Sequence, residues 1–116
     1  MIEFVSVNKT FTGSDGKETV ALQSLDLRIE TGAVHCLIGT SGCGKTTSLR
    51  LVNRLEQPTS GIVRVAGEDI HRMDVIELRR RIGYVIQSGG LFPHLSVAQN
   101  VGILCQLEGH AVGDME

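Results

Sequence analysis

Gly39-Thr40-Ser41-Gly42-Cys43-Gly44-Lys45-Thr46-Thr47 fits the pattern G-x-x-x-x-G-K-[ST] without a substitution. A chain that wraps a triphosphate must turn its backbone N–H groups inward and let phosphate oxygens come close. Gly39, Gly42 and Gly44 permit both. Lys45 supplies a point charge for the β- and γ-phosphates, and Thr46 carries the hydroxyl expected on Mg2+. That threonine stands in the first turn of a helix whose N-terminal dipole also favours anions. All nine residues from Gly39 to Thr47 are therefore candidate nucleotide-binding residues, with Thr46 the first candidate for the metal.

The flanks decide whether the pattern is accidental. Ala33 to Ile38 is a short, mostly apolar run suited to a buried parallel strand, and Thr46 to Asn53 opens a helix with Leu49 and Val52 three apart. Strand, loop and helix follow in the order the motif requires. A Gly-rich turn that merely precedes a lysine is the competing reading, and these flanks argue against it.

The size of 116 residues sets an upper limit of one domain, and 41% hydrophobic with 21% charged residues matches an ordinary soluble globular protein. Apolar stretches are only a few residues long, and Met1-Ile2-Glu3-Phe4 has neither a basic n-region nor a long h-region. A cytoplasmic chain is expected. Eleven basic against thirteen acidic residues leave a formal charge of −2, so no basic excess advertises nucleic acid as a partner. The one basic run, Arg79-Arg80-Arg81, reads as the solvated face and C-terminal end of a helix rather than as a phosphate groove.

Cys36, Cys43 and Cys105 are odd in number and show no C-x-x-C spacing, which argues against a disulfide framework or a zinc knuckle. Cys36 reads as a buried strand residue. Cys43, inside the loop, either packs or offers a thiol whose alkylation blocks the nucleotide. The four histidines lack i,i+4 pairing and a carboxylate cluster, so they support no metal site.

Taken in order, Ile2 to Val7 and Leu25 to Glu30 alternate apolar and polar residues, with turn formers dense between Thr12 and Lys17. This opening predicts a small antiparallel β element. Phe11 stands at the end of its first strand, where spacing alone allows it to stack on an adenine or to pack under the turn. Gln57 to Gly61 breaks the chain, and Ile62 to Gly67 reads as an outlying strand. Val75, Leu78 and Ile82 mark one helical face, with Asp74 as N-cap.

Ile82 to Ile86 is a second apolar run suited to a buried strand, ending at Gln87. Ligands of parallel sheets sit beyond the carboxyl ends of strands, so Gln87 is expected at the same sheet edge as the phosphate loop. Its amide oxygen can face Mg2+ or a water, or simply meet solvent. Leu91 to Leu95 is an apolar loop that invites a protein contact, and Ser96-Val97-Ala98-Gln99 has the form of a capping box starting a helix through Val101 and Leu104. Beyond Leu107 the sequence gives no strong structural signal.

Together these residues resemble the N-terminal half of an ATP-binding subunit of an ABC transporter. The resemblance places Phe11 at the aromatic that stacks on adenine, Gly39 to Thr47 at Walker A, Pro58 to Gly61 after the helix, and Gly83 to Gln87 at the Q-loop strand. The run from Leu78 to Gln87, followed by Gly90 to Val97, is similar to importers of glycine betaine, choline and related osmoprotectants. The implied fold is α/β, a P-loop NTPase (RecA-like) core with an antiparallel β subdomain, here incomplete. Residues 1–35 and 60–72 would form mainly the β subdomain, 36–55 the phosphate loop and helix, 82–95 the Q-loop region, and 96–116 the start of the helical subdomain. The implied cofactors are ATP and Mg2+, with Thr46 and Gln87 toward the metal. The implied partners are transmembrane subunits, reached through Gln87 to Leu95, and a second copy in a head-to-tail dimer of the intact family member. Its place would be the cytoplasmic face of the membrane, held peripherally.

The family's Leu-Ser-Gly-Gly-Gln motif is absent from the sequence, as are a Walker B run ending in Asp-Glu and a switch histidine. Attack on a γ-phosphate needs an oriented water and a base or its equivalent. The expectation is a truncated or fragmentary importer ATPase that binds ATP without turning it over, with an open sheet edge where core strands are missing. A non-catalytic nucleotide-binding or assembly module is the second reading. A different P-loop enzyme, such as a kinase or GTPase, comes last, since Asn8-Lys9 precedes the loop and lacks the Asn-Lys-x-Asp form.

Overall fold

The computed structural model describes residues 1–87 and 89–107. Ser88, within the expected Q-loop region, and residues 108–116, the far part of the expected helical subdomain, lie outside the described residues. The chain divides into two compact units, Met1–Gly83 and Tyr84–Glu116.

In the first unit, β1 (Ile2–Thr12), β2 (Glu18–Ile29), β3 (Ser60–Val65) and β4 (Glu68–Asp69) form one antiparallel sheet in the order β2-β1-β3-β4. The turn formers behave as expected: the Gly16 N–H donates to Gly13 O at 2.9 Å, and Asp15 accepts from the Lys17 N–H at 3.0 Å. Alternation in β1 is interrupted at Ser6, whose φ of 46° inserts a bulge between Phe4 and Val7. Both are consequently buried although three residues apart. β3 is not outlying, contrary to the sequence expectation. It pairs with β1 from Ile2↔Val65 to Asn8↔Ser60 because Val63 faces the core, and the two-residue β4 takes the edge.

The core gathers Phe4, Val7 and Val63 from the sheet, Leu51 and Val52 from α1 (Lys45–Val52), Leu78 from α2 (Val75–Arg80), and Ile70. Burying one such side chain stabilises by about 1.5–3 kcal/mol, so this cluster is what holds α1 against the sheet. The buried face of α1 is Ser48, Leu51 and Val52, whereas Leu49, expected inward, is 53% exposed. Ser48 can face the sheet because its hydroxyl donates back to Gly44 O at 3.0 Å.

Asp74 caps α2 as the sequence predicts, accepting from the Ile76 N–H at 2.9 Å and the Glu77 N–H at 3.0 Å. Asp74→Ala should cost about 1 kcal/mol and lower the thermal midpoint by about 4–8 °C for a unit of this size. An unchanged midpoint in a melting experiment would show that the cap contributes nothing. Arg79 departs from the expected solvated run. Its guanidinium donates to Asn53 O at 3.1 Å and Arg54 O at 2.9 Å, where the carbonyl end of α1 attracts a cation.

Two expected parallel strands are not formed. Residues 33–38 and 82–86 have no strand partner among the described residues, and Val34, Ile38 and Val85 are 97%, 91% and 94% exposed. A ladder needs a neighbour to take up N–H and C=O groups, and the apolar runs alone cannot supply one. Cys36, read as buried, is exposed for the same reason.

In the second unit the capping box closes in both directions. The Ser96 N–H donates to Gln99 Oε1 at 2.8 Å, and the Gln99 N–H donates to Ser96 Oγ at 3.2 Å. It opens α3 (Val97–Leu107), whose Val97, Val101, Leu104 and Leu107 are exposed. Among the described residues no helix is long and apolar enough to cross a membrane.

Candidate functional site

The loop from Gly39 to Gly44 ends where α1 begins, and Gly44 is the N-cap of that helix with φ 92° and ψ −2°. A helix leaves its first four N–H groups without intrahelical partners. At α2 and α3 a side chain takes up part of that demand, Asp74 in one and Ser96 in the other. No side chain caps α1, and its first turn carries no acidic residue. The N-terminus of α1 is thus left with its positive dipole uncompensated by protein groups.

Lys45 folds back across the same loop. Its Nζ donates to Gly39 O at 2.8 Å and Thr40 O at 2.7 Å, and lies 3.3 Å from Cys43 Sγ. The two carbonyls fix the ammonium over the loop. The thiol is a weak acceptor, so an incoming phosphate oxygen can take its place at small cost. Gly39 also has a packing reason: a Cβ there would fall 2.6 Å from Cys43 Sγ.

Gly42, Cys43, Gly44, Lys45, Thr46 and Thr47 line a cavity of about 110 Å3. Sites that engulf a whole small ligand run to about 300–1,000 Å3, so this cradle suits phosphate groups and leaves a base to be held outside it. Thr46, which carries a hydroxyl, is exposed and is one of the residues lining the cavity. A hard oxygen donor of this kind fits Mg2+, which usually takes few protein ligands and completes its shell with phosphates and water.

Phe11 lies near the end of β1, opposite Thr19 of β2. Two and three residues further along, Ala21 and Leu22 of β2 are the groups that a Cβ on Gly44 would strike, so β2 links the Phe11 end of the hairpin to the loop. The ring is 37% exposed, hence not sealed under the turn. Lys9 Nζ sits 4.6 Å from its centroid and also pairs with Glu56 at 3.2 Å. That cation–π contact was not read from the sequence, though residues two apart on a strand share a face. Gln87 belongs to the second unit, where it is an exposed bend residue.

A glycine-rich loop, an uncapped helix N-terminus and a lysine clamp in one cradle define a P-loop nucleotide-binding domain. The family described as ABC transporter matches residues 22–116, and the chain belongs to that family. It is 47% identical over 107 residues to the glycine betaine/carnitine/choline transport ATP-binding protein OpuCA of Bacillus subtilis, covering 92% of this chain and 27% of that one. It is 50% identical over 108 residues to the glycine betaine uptake system ATP-binding protein YehX of Escherichia coli, covering 93% of this chain and 33% of that one. Among solved structures it is similar to the dimeric ATP-binding cassette MJ0796 bound to ADP and Pi. That match has a TM-score of 0.81 and 31% identity, and covers 93% of this chain and 48% of the other. The chain thus spans about a quarter to a third of the length of these curated relatives.

Proposed function

We propose that the chain binds MgATP as the N-terminal part of the ATP-binding domain of an ABC importer for glycine betaine, choline or a similar osmoprotectant. The carrying observation is the uncapped N-terminus of α1 beneath the Lys45 clamp, while the other helices have side-chain caps. The β- and γ-phosphates enter the cradle of Gly39 to Thr47, Thr46 faces Mg2+, and Phe11 takes the adenine. Gln87 reaches Mg2+ or a water in the intact protein. The solute class rests on the names of the relatives, whose similarity covers nearly the whole of this chain.

In this reading 1–35 and 60–72 belong to the β subdomain, 36–55 carry the phosphate loop and helix, 82–95 form the Q-loop region, and 96–116 begin the helical subdomain. The segment from Gln87 to Leu95 contacts transmembrane subunits at the cytoplasmic face. Leu91 and Phe92, 76% and 47% exposed, are the apolar groups that support this. The intact protein works as a head-to-tail homodimer, and that the similar solved cassette is dimeric supports this reading.

Titration calorimetry of the 116-residue chain with MgATP tests the reading. Saturable binding is expected, together with no steady hydrolysis, since the sequence has no Leu-Ser-Gly-Gly-Gln and no Asp-Glu after an apolar run. A folded chain that takes up no nucleotide would remove the binding reading. Steady phosphate release that disappears in Lys45→Ala would remove the non-hydrolysing one and leave a catalytic module.

A further inference from the structure

One side chain ties the apolar loop before α3 to the helix itself. Asn100 Oδ1 accepts the Phe92 N–H at 2.7 Å, and Asn100 Nδ2 is 3.1 Å from Phe92 O, 3.1 Å from Leu95 O and 3.0 Å from Ser96 O. An amide offers one acceptor oxygen and two N–H donors. The exchange with Phe92 therefore imitates a pair of neighbouring strand residues, and the second donor serves Leu95 and Ser96. The Leu95 N–H closes a turn on Phe92 O at 3.0 Å, and the Asn100 N–H bonds Ser96 O at 2.9 Å. Residues 92–96 are fixed at both ends by a single position of α3.

What this clamp displays is apolar. Leu91 and Phe92 are held outward, the Phe92 ring lying edge-on to His94 at 5.8 Å between centroids and 72° between planes. Apolar surface held in water stabilises nothing by itself, whereas covering it with a partner does. Ordering a loop in advance removes that cost from binding.

We infer that Asn100 is a positioning residue for coupling, holding Leu91 and Phe92 preformed for an apolar cytoplasmic surface of the membrane subunit. The inference rests on the reading that Gln87 to Leu95 docks there. Asparagine is required by its two-way hydrogen bonding: Ala removes donor and acceptor, while Asp keeps the acceptor for Phe92 and loses the donors to three carbonyls.

The test follows the Phe92 amide of the 15N-labelled chain by NMR and, in parallel, co-sedimentation with inverted membrane vesicles of the source organism. In Asn100→Ala the Phe92 amide proton should move upfield and exchange at least tenfold faster, with amides of residues 39–47 unmoved as proof of folding. Asn100→Asp should keep the Phe92 amide protected while Leu95 O loses its side-chain donor, which the Ser96 amide of the same peptide unit reports as a shift. Both variants should lose at least tenfold in vesicle association, as should Leu91→Ser/Phe92→Ser. An unmoved Phe92 amide in Asn100→Ala overturns the clamp. A freed amide with wild-type association overturns the positioning role. Wild-type association by Leu91→Ser/Phe92→Ser shows instead that the docking reading is at fault, and the role falls with it.

Discussion

Lys45→Ala is expected to weaken MgATP binding by at least about a hundredfold, or about 2.7 kcal/mol. A hydrogen bond to a charged group contributes about 1.5–3 kcal/mol, and the lysine meets phosphates that carry full charge. Two losses add here. The ligand loses its ammonium, and Gly39 O and Thr40 O lose the donor that draws them together. What remains is the dipole of α1, which contributes about 0.3–1 kcal/mol to an anion in exposed settings. Titration calorimetry on both chains measures the difference. Binding within threefold of wild type would mean that Lys45 only braces the loop and that the helix terminus does the holding.

Those same contacts explain which parts of the site were legible beforehand. The loop could be read because its chemistry is local: glycines at fixed offsets, a lysine and a hydroxyl, all within nine residues. Caps are equally local, and Asp74 and Ser96-x-x-Gln99 fold as their spacing says. Hidden from spacing were contacts that depend on which elements meet. Arg79 looked like one of three solvated arginines until Asn53 and Arg54 of the α1 end lay beside it. Asn100 carries a weak local signal, four residues after the cap, but its acceptors sit in a loop with no periodicity.

The apolar runs 33–38 and 82–86 fail in the other direction. Their composition is that of buried strands, yet a strand exists only through its neighbours, and the described residues pair neither. By contrast β1 and β2 find each other across a short turn, and β3 joins β1 through Val63 and the core. Local antiparallel pairing could be read from alternation and turn residues. Parallel pairing joins segments far apart in sequence, and an apolar run read as such a strand does not by itself secure the neighbour it needs.

Gly44→Ala is expected to abolish nucleotide binding and to destabilise the first unit by about 2–5 kcal/mol, the sum of two terms. An L-residue in the left-handed region costs about 1–2 kcal/mol, and Gly44 has φ 92°. Overpacking adds about 1–3 kcal/mol: the new Cβ would fall 2.6 Å from Ala21 O and 2.7 Å from Leu22 Cδ2, and the first of these is backbone. Relief requires either α1 to lift from β2 or the loop to change its entry into the helix, and each displaces the N–H groups that face the phosphates. Gly16→Ala separates the two terms. Its φ is 76° with nothing within 4 Å of the added Cβ, so it should lose only the backbone term, about 1–2 kcal/mol, and bind MgATP normally. Thermal melts and titrations of the pair decide the matter. Equal destabilisation with nucleotide binding intact in both would mean that the Ala21–Leu22 contact does not shape the loop.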